Sequence, residues 1–251
     1  MLMGEGLPVI DIHCHILPGF DDGAADLRDA MAMARLAAVS GTTDLIATPH
    51  FPGEATSLER MGLLLARFTK LEQAIARENL SLRLYPGAEI LCLPQTPELA
   101  KQRLLPTLGH TDYLLCEFYF DEPAPSMDRM LLSLADCGYR IVVAHPERYD
   151  AVRQNPGLAA QWFARGYVLQ LNKGSISGAF GSAVRKTAQE LLNQGLYHMV
   201  ASDAHGIDSR TTDLRRTRQR LEALCSEAYI RLLMEENPRR LLNGQDMAPI
   251  A

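Results

Sequence analysis

Short apolar runs alternate along the chain with longer segments in which apolar and polar residues recur at helical spacing. The strand-like runs cover residues 8–13, 43–48, 82–86, 113–118, 140–145, 167–171 and 197–202. In two of the helical segments, 26–41 and 57–79, the Met and Leu residues fall on one face, as in a helix packed against a core. Seven strands that alternate with helices predict an α/β fold with parallel strands joined by crossovers, in a sheet or in a barrel.

Composition agrees with this prediction of a globular α/β protein. The chain has 251 residues, of which 47% are hydrophobic and 22% are charged, and such a chain can bury an ample core. It contains neither a fixed-period repeat nor a linker rich in Pro, Gly and Ser. We therefore predict one domain over residues 1–251.

Charge and cysteine usage exclude several classes of function. A net charge of −5 gives no basic surface for nucleic acid, and no apolar run approaches the ~20 residues that cross a bilayer. The N-terminal MLMGEGLPV carries Glu5 and lacks the basic region of a signal peptide. The five cysteines form no CxxC pair, and their odd number argues against a disulfide framework. We predict a reduced, cytoplasmic protein without membrane insertion, and its oligomeric state stays open.

Imidazole and carboxylate side chains stand at the carboxyl ends of the predicted strands. They are His13, His15 and Asp22 after strand one, His50 after strand two, Glu89 after strand three, Glu117 at the end of strand four, His145 at the end of strand five, and Asp203 and His205 after strand seven. In parallel barrels these strand ends meet on one face, where active sites are built. We therefore expect residues far apart in sequence to share one pocket.

The spacing and the residue types favour metal ions. Residues at i and i+2 of a strand share a face, so His13 and His15 can turn inward together. Imidazole combined with carboxylate suits Zn, Mn or Fe better than Ca, and carboxylates gathered in one pocket repel each other unless cations neutralise them. Nine candidate ligands exceed the capacity of one ion. They predict two or three ions that share a bridging carboxylate such as Glu89 or Glu117.

Each of these residues also has a structural interpretation. A single histidine at a strand end, such as His50 or His145, is more often a hydrogen-bonded structural residue than a ligand. Glu117 could simply pair with an arginine. His110 and His198 lie away from the strand ends, and we interpret both as structural. Only the complete set favours a metal centre.

Two arginines indicate the class of substrate. Three divalent cations would outweigh the four carboxylates and leave a positive surplus, which suits the dianion of a phosphate monoester. Arg148 lies in HPERY and Arg210 in SDAHGIDSR, each close to a candidate ligand. The planar fork of arginine binds phosphate oxygens in bidentate fashion. Alternatively, either arginine is a partner of a ligand carboxylate.

These motifs together resemble those of a known superfamily. HCH, DDG, the histidine after strand two, GAEI, the glutamate of strand four, AHPERY and SDAH are similar to the motifs of the PHP superfamily (polymerase and histidinol phosphatase). Within it, DIHCHILPGFDDGA, YPGAEI, LPTL, IVVAHPERYD, ASDAHG and NPRRLLNG resemble the manganese-dependent tyrosine-protein phosphatases of bacterial capsule and exopolysaccharide loci. The resemblance runs in matching order from Val9 to Gly244. Cys14 stands where a serine is usual, and NKGS replaces a more polar run after strand six.

The resemblance implies a distorted seven-stranded (β/α)7 barrel, similar to a TIM barrel, that holds a trinuclear metal centre. Its metal ligands would be His13, His15, Asp22, His50, Glu89, Glu117, His145, Asp203 and His205. Arg148 and Arg210 would bind phosphate. For the leaving group we expect help from a metal, or from a proton of His50 or His205 where either is not fully engaged. The ions would be three Mn, with Fe, Zn or Mg as substitutes.

The implied activity is hydrolysis of phosphotyrosine on the tail of a bacterial tyrosine kinase that regulates capsule or exopolysaccharide synthesis. A metal-activated hydroxide would attack phosphorus directly, without a phosphoenzyme. The main alternative is a histidinol-phosphate phosphatase or another small-molecule phosphoesterase of the same superfamily. A nuclease would need a basic track that the chain lacks, and a non-enzymatic, metal-stabilised binding module is the remaining alternative.

Overall fold

The computed structural model describes residues 8–54 and 57–249. Within these residues there are nine strands: β1 (Val9–Cys14), β2 (Thr42–Ala47), β3 (His50–Pro52), β4 (Arg83–Pro86), β5 (Glu89–Leu91), β6 (Tyr113–Glu117), β7 (Arg140–Ala144), β8 (Val168–Asn172) and β9 (Met199–Ala201). Seven of them overlap the seven predicted strands. The segment 1–7, part of the stretch predicted not to be a signal peptide, lies outside the described residues, as do both ends of the predicted domain.

Helices connect most of the strands. They are α1 (Leu27–Val39), α2 (Ser57–Arg77), α3 (Thr96–Lys101), α4 (Ala124–Asp136), α5 (Asp150–Gln154), α6 (Gly157–Ala164), α7 (Lys173–Ser177), α8 (Ser182–Asn193), α9 (Arg215–Glu222), α10 (Glu227–Arg231) and α11 (Asn237–Leu242). The side chain of Asp26 caps α1 by accepting a hydrogen bond from the Asp29 amide at 2.9 Å. Gly41, at φ 93°, supplies the left-handed residue that ends the helix before β2.

The strands form two parallel sheets, with the orders β1-β2-β4 and β3-β5-β6-β7-β8-β9. All the strand pairs in both sheets are parallel. A parallel bridge between Cys14 and Ala204 joins the end of β1 to the segment after β9. The predicted α/β fold with parallel strands is therefore confirmed.

The described residues form nine strands where seven were predicted, because β3 and β5 follow shortly after the strands predicted at 43–48 and 82–86. Residues 48–49 separate β2 from β3, and residues 87–88 separate β4 from β5. Pro49 has no amide hydrogen to donate to a ladder. Gly87 is packed so tightly that an added Cβ would lie 2.8 Å from Ile46. At each break the chain passes from one sheet to the other, so that β2 and β4 lie in the first sheet and β3 and β5 in the second.

Two apolar clusters occupy the two faces of the sheets. The smaller cluster receives every second residue of several strands, including Tyr113 and Leu115 of β6, Val142 and Ala144 of β7, Val168 of β8, and Met199 and Ala201 of β9. The intervening residues, such as Leu114 and Val143, join the larger cluster that the helices cover. Glu117, Gln170 and Asp203 continue the alternation of the smaller cluster. That face therefore changes from apolar to polar toward the carboxyl ends of the strands.

Among the residues that the structure describes, no helix combines the length and the apolar character needed to cross a membrane.

Candidate metal centre

The structure gathers all nine predicted ligands at the carboxyl ends of the strands. They form four overlapping groups, and in each group the donor atoms lie within 4.8 Å of one another. The groups are His15, Asp22, His50 and His205; His13, His15 and Asp203; His13, Glu89 and His145; and His50, Glu89 and Glu117. Because His13, His15, His50 and Glu89 each belong to two groups, the four groups form one continuous site.

Glu89, the first residue of β5, is the buried carboxylate at the middle of the site. Its Oε1 lies 3.0 Å from His145 Nε2 and 3.2 Å from His13 Nε2. Its Oε2 lies 3.1 Å from His50 Nδ1 and 3.3 Å from His15 Nε2. Burial raises the pKa of Glu89, but the surrounding histidines, in their protonated form, outweigh burial and hold that pKa well below its usual range.

The two oxygens of Asp203 face different partners. Oδ1 lies 3.5 Å from His13 Nε2 and 3.4 Å from His15 Nε2, on the side of the site. Oδ2 accepts hydrogen bonds from Arg210 at 2.7 Å and from Arg148 at 3.3 Å, and also from the Asn172 amide. One oxygen is thus held by donors of the protein, while the other remains turned toward the histidines.

Three histidines are oriented from behind by acceptors. His13 Nδ1 lies 3.0 Å from Gln170 Oε1, His15 Nδ1 lies 2.7 Å from Asp21 Oδ2, and His205 Nδ1 lies 3.0 Å from the Asp203 carbonyl oxygen. These oxygens only accept, so each Nδ1 carries the hydrogen and donates it. In the neutral ring, the lone pair of Nε2 is then left on the opposite side. For His13 and His15, both Nε2 atoms point into the site and lie 3.2 Å apart.

Several buried polar atoms of the site have no hydrogen-bond partner among the described residues. They are Glu89 Oε2, His145 Nδ1 and His205 Nε2. Buried polar groups are normally satisfied, and closely spaced lone pairs of imidazole and carboxylate repel one another. The donor set therefore fits divalent cations, which would accept these lone pairs.

Backbone strain is concentrated at the same place. Six non-glycine residues in the described part of the chain adopt positive φ, and three of them are His145 (32°), Asp203 (48°) and Arg210 (47°). Left-handed backbone costs about 1–2 kcal/mol for a residue with a side chain. Such strain is typical of functional sites, where the surrounding structure fixes the side-chain direction.

Asp21 is a site residue that the sequence analysis missed in favour of its neighbour. Asp22 lies at the rim, 65% exposed, with Oδ1 3.5 Å from His205 Nε2 and 3.6 Å from His50 Nε2. Asp21 instead accepts from His15 and, at 2.8 Å, from the His50 amide. Gly23 lets the loop pass close to His15, because an added Cβ would lie 2.0 Å from the His15 carbonyl oxygen. The DDG motif marks this loop but does not tell its two carboxylates apart.

The predicted phosphate ligands Arg148 and Arg210 lie at the edge of the site, where both contact Asp203. The structure thus realises their alternative role as partners of a candidate ligand carboxylate. The Arg148 guanidinium also lies between two aromatic rings, 4.4 Å from the Phe120 centroid and 4.3 Å from the Phe180 centroid. Sequence motifs gave no sign of this aromatic pair.

Two polar residues of β8 were also missed. Gln170 orients His13, and Asn172 donates to Asp203. Both are buried and lie two residues apart on the same face of the strand. A lone glutamine within the apolar run YVLQL was the available signal, since a buried strand admits a polar side chain only where it finds a partner.

The two histidines interpreted as structural lie away from the site. His198 accepts a hydrogen bond from the Leu169 amide at 3.1 Å, and its ring stacks on Phe163 with the centroids 4.8 Å apart. Burial lowers its pKa to about 4. His110 is exposed and follows Gly109 in a short 3₁₀ turn. Neither belongs to a group of potential metal donors.

Comparison with known proteins gives matches over nearly the whole chain. A family model described as capsular polysaccharide synthesis, CpsB/CapC, matches residues 9–243. Tyrosine-protein phosphatase YwqE of Bacillus subtilis is 36% identical over 240 residues, which cover 94% of this chain and 92% of YwqE. Tyrosine-protein phosphatase CpsB of Streptococcus pneumoniae is 27% identical over 253 residues, which cover 94% of this chain and 99% of CpsB.

A solved structure is similar over the same extent. It comes from work on YwqE from Bacillus subtilis and CpsB from Streptococcus pneumoniae, described as unique metal-dependent tyrosine phosphatases. It matches with a TM-score of 0.85 at 34% identity and covers 95% of this chain and 96% of the solved chain.

Proposed function

The chain belongs to the capsular polysaccharide synthesis family CpsB/CapC, and from this premise we propose that it is a metal-dependent protein-tyrosine phosphatase. The family resemblance predicted from the motifs is confirmed by the family model and by the relatives. The activity rests above all on one observation. Five imidazoles and three further carboxylates surround the buried Glu89, with two arginines beside them.

The nine donors would hold several divalent cations. We propose three Mn ions, for which Fe, Zn or Mg could substitute, bound by all nine predicted ligands. When bound, the cations would supply Lewis acidity and a water molecule of lowered pKa, toward ~7. The orienting contacts of Asp21 and Gln170 support this assignment, because each sets the tautomer that leaves a histidine Nε2 free toward the site.

Arg148 and Arg210 would bind the phosphate oxygens. Each is held on Asp203 Oδ2 by a single guanidinium nitrogen, so its other N–H groups remain for a substrate. Arg210 Nε is buried and makes no hydrogen bond among the described residues. Donors that are fixed in advance beside the ligands would stabilise the charge on the transferring phosphoryl group.

The leaving tyrosinate would be stabilised by a cation, or would take its proton from a ring nitrogen of His50 or His205 that does not bind a cation. Both have an Nε2 within 3.6 Å of Asp22 at the rim, and the His50 side chain is 38% exposed. As the oxygen of water bonds to phosphorus, the bond between phosphorus and the tyrosyl oxygen breaks, the electron pair stays on the tyrosyl oxygen, and the histidine proton neutralises it. No residue of the chain bonds to phosphorus in this scheme.

The aromatic pair favours a tyrosyl ester over histidinol phosphate. The Phe120 side chain is 42% exposed, and its ring centroid lies 6.1 Å from that of His145 at the site. An aromatic leaving group could stack against such a ring, which is worth about 0.5–1.5 kcal/mol beyond the area buried. The imidazole ring of histidinol is smaller and more polar than a phenol ring, so it would bury less apolar area in this contact.

The finer features of fold and context are part of the proposal. Counting each interrupted pair of strands as one line gives seven lines, and the Cys14–Ala204 bridge supports treating them as one distorted barrel in a single domain. The five free cysteines support a reduced, cytoplasmic location. The substrate would be the phosphotyrosine tail of a bacterial tyrosine kinase that regulates capsule or exopolysaccharide synthesis.

A comparison of two substrates tests the proposal. The purified protein is analysed for bound metals, supplied with Mn, and assayed on a phosphotyrosyl peptide and on histidinol phosphate. We expect kcat/KM for the peptide to be at least about tenfold higher, which one stacked ring and a better leaving group can supply together.

Two results would contradict the proposal. A preference for histidinol phosphate would assign the chain to small-molecule phosphatases. A full metal complement without hydrolysis of either ester would indicate a binding module stabilised by metal.

A further inference from the structure

A cavity of about 440 Å³ opens beside the candidate metal centre. Asn172 and Arg210 line it, and both also donate to Asp203 Oδ2. The cavity therefore shares a wall with the place where a phosphate would bind. Its volume is within the range of ligand-binding pockets, about 300–1,000 Å³.

Helix α9 contributes positive charge to this cavity. Arg216 and Arg220 both line it, and because they are four residues apart they lie on one face of the helix. Both are exposed, and neither makes a hydrogen bond or an ion pair with another described residue.

Other arginines near the cavity are paired. Arg215 binds Asp213 through three hydrogen bonds from its side chain, and Arg218 binds Glu222 and Glu227. The arginines of α9 thus divide into two kinds. Those outside the cavity are neutralised by acidic residues of the chain, and those in its wall are left with free guanidinium groups.

The acidic residues of the cavity do not cancel this charge. Asp213 is occupied by Arg215, so Asp208 is the unpaired carboxylate among the lining residues that the structure describes. Lys173 adds a further cation, and its Nζ donates to the carbonyl oxygens of Thr211 and Asp213. The cavity is therefore positive in a chain whose net charge is −5.

We propose that this cavity binds an acidic side chain next to the phosphotyrosine of the protein substrate. This inference rests on the proposed function, because it places the phosphotyrosine beside Arg210. A carboxylate in the cavity would meet unpaired guanidinium groups. The planar guanidinium can donate two parallel hydrogen bonds to the two oxygens of a carboxylate. The cavity would thus select among phosphotyrosine sites by their sequence.

The test uses the full chain with Mn and two phosphotyrosyl peptides that differ only in whether Glu or Gln flanks the phosphotyrosine. The variant Arg216→Gln/Arg220→Gln removes both free cations. The matched control Arg218→Gln/Arg231→Gln removes two cations that are paired with glutamates outside the cavity. Hydrolysis of p-nitrophenyl phosphate, which has no flanking residues, reports on the metal centre alone.

We expect the wild type to favour the acidic peptide by about threefold to tenfold in kcat/KM, chiefly through KM, because each exposed ion pair contributes little. The preference should weaken as salt is added. It should fall to near one in Arg216→Gln/Arg220→Gln and persist in the control, while both variants hydrolyse p-nitrophenyl phosphate as the wild type does. Binding of the same peptides with a non-hydrolysable phosphonate, followed by fluorescence anisotropy, should show the same ratios.

Two results would overturn the inference. One is equal use of both peptides by the wild type, and the other is an acidic preference that survives loss of Arg216 and Arg220. Failure of the proposed function has a different signature. The wild type would then hydrolyse neither peptide nor p-nitrophenyl phosphate, and the anisotropy ratios would still decide whether the cavity binds acidic side chains.

Discussion

Asp44 and Glu89 are two buried carboxylates that belong to different sheets. Asp44 lies near the start of β2, and Glu89 opens β5 on the side where the strands end. Their side chains are 0% and 1% exposed, respectively. Burial alone therefore does not distinguish them, and the difference lies in what surrounds each one.

The chain itself satisfies Asp44 completely. Arg83 donates to it through two nitrogens at 2.7 and 3.0 Å, and Arg239 donates at 3.0 Å. Tyr85 and Thr43 add hydroxyl donors at 3.0 and 2.7 Å. Burial raises the pKa of Asp44, but these donors outweigh it and lower the pKa to about 2.

Glu89 is surrounded by imidazoles instead of fixed cations. In their neutral form the rings of His13 and His15 are turned so that the lone pairs of Nε2 face the site. One of its oxygens makes no hydrogen bond among the described residues. The chain thus completes the hydrogen bonds of a structural carboxylate, whereas it leaves the carboxylate of the candidate metal centre incomplete.

Removing the carboxylate of Asp203 should produce the largest loss of phosphatase activity, and a matched change at Asp44 should produce none. In Asp203→Asn, Oδ1 is no longer anionic toward His13 and His15, and the anchor of Arg148 and Arg210 loses its charge. We expect phosphatase activity to fall by at least about 10³-fold, with an unchanged circular dichroism spectrum. His15→Ala should behave in the same way, and Mn should raise the Tm of the wild type more than that of either variant.

Asp44→Asn is the control for the loss of a buried charge, because it removes one outside the candidate metal centre. It should keep full activity per folded molecule and the same Tm response to Mn. Turnover in both Asp203→Asn and His15→Ala after careful metal stripping and reloading would refute the assignment of the site.

Asp44→Asn should instead reduce stability, by about 2 kcal/mol at pH 7. The folded pKa of about 2 lies below the value of about 3.9 in unfolded chains, so ionised Asp44 stabilises the fold. That contribution is complete above about pH 5 and is lost as the pH falls toward 2. Urea unfolding of wild type and variant at pH 7, 5 and 3 should show a difference that is constant at first and about half as large at pH 3.

A stability difference that grows as the pH falls would contradict this account of Asp44. Asp208→Asn serves as the comparison, because that carboxylate is exposed and makes no ion pair among the described residues. Its effect on stability should stay within about 0.5 kcal/mol at every pH.

The sequence predicts the donor cluster well because a parallel α/β topology fixes where strand ends lie. His13, His145 and Asp203 are more than 50 residues apart in sequence, yet one rule about carboxyl ends places them together. The structural interpretation of His198 also follows from its position directly before β9, away from those ends. Apolar periodicity alone located seven of the nine strands.

What the sequence could not supply is the direction of individual side chains. Asp21 and Asp22 are adjacent carboxylates, and only the path of the loop decides which one reaches behind His15. The short strands β3 and β5 escaped prediction because a break of two residues changes the register without changing composition. The aromatic pair around Arg148 joins Phe120 and Phe180, which no local pattern connects.

Asp21→Asn should produce the smallest of these effects and separate orientation from ligation. The asparagine can still contact His15, but an amide accepts the Nδ1 hydrogen less strongly than a carboxylate does. Loss of such an orienting carboxylate typically costs about 10- to 100-fold in metal affinity or activity, and we expect the lower end because Asn keeps the shape. The loss should appear in Mn titrations as weaker activation, so that excess Mn restores most of kcat.

An Asp22→Asn variant, altered at the exposed rim, should need more Mn as well but leave the His15 ring resonance in NMR spectra unshifted. If Asp21→Asn were as inactive at saturating Mn as Asp203→Asn, Asp21 would have to contact the metal or the substrate itself.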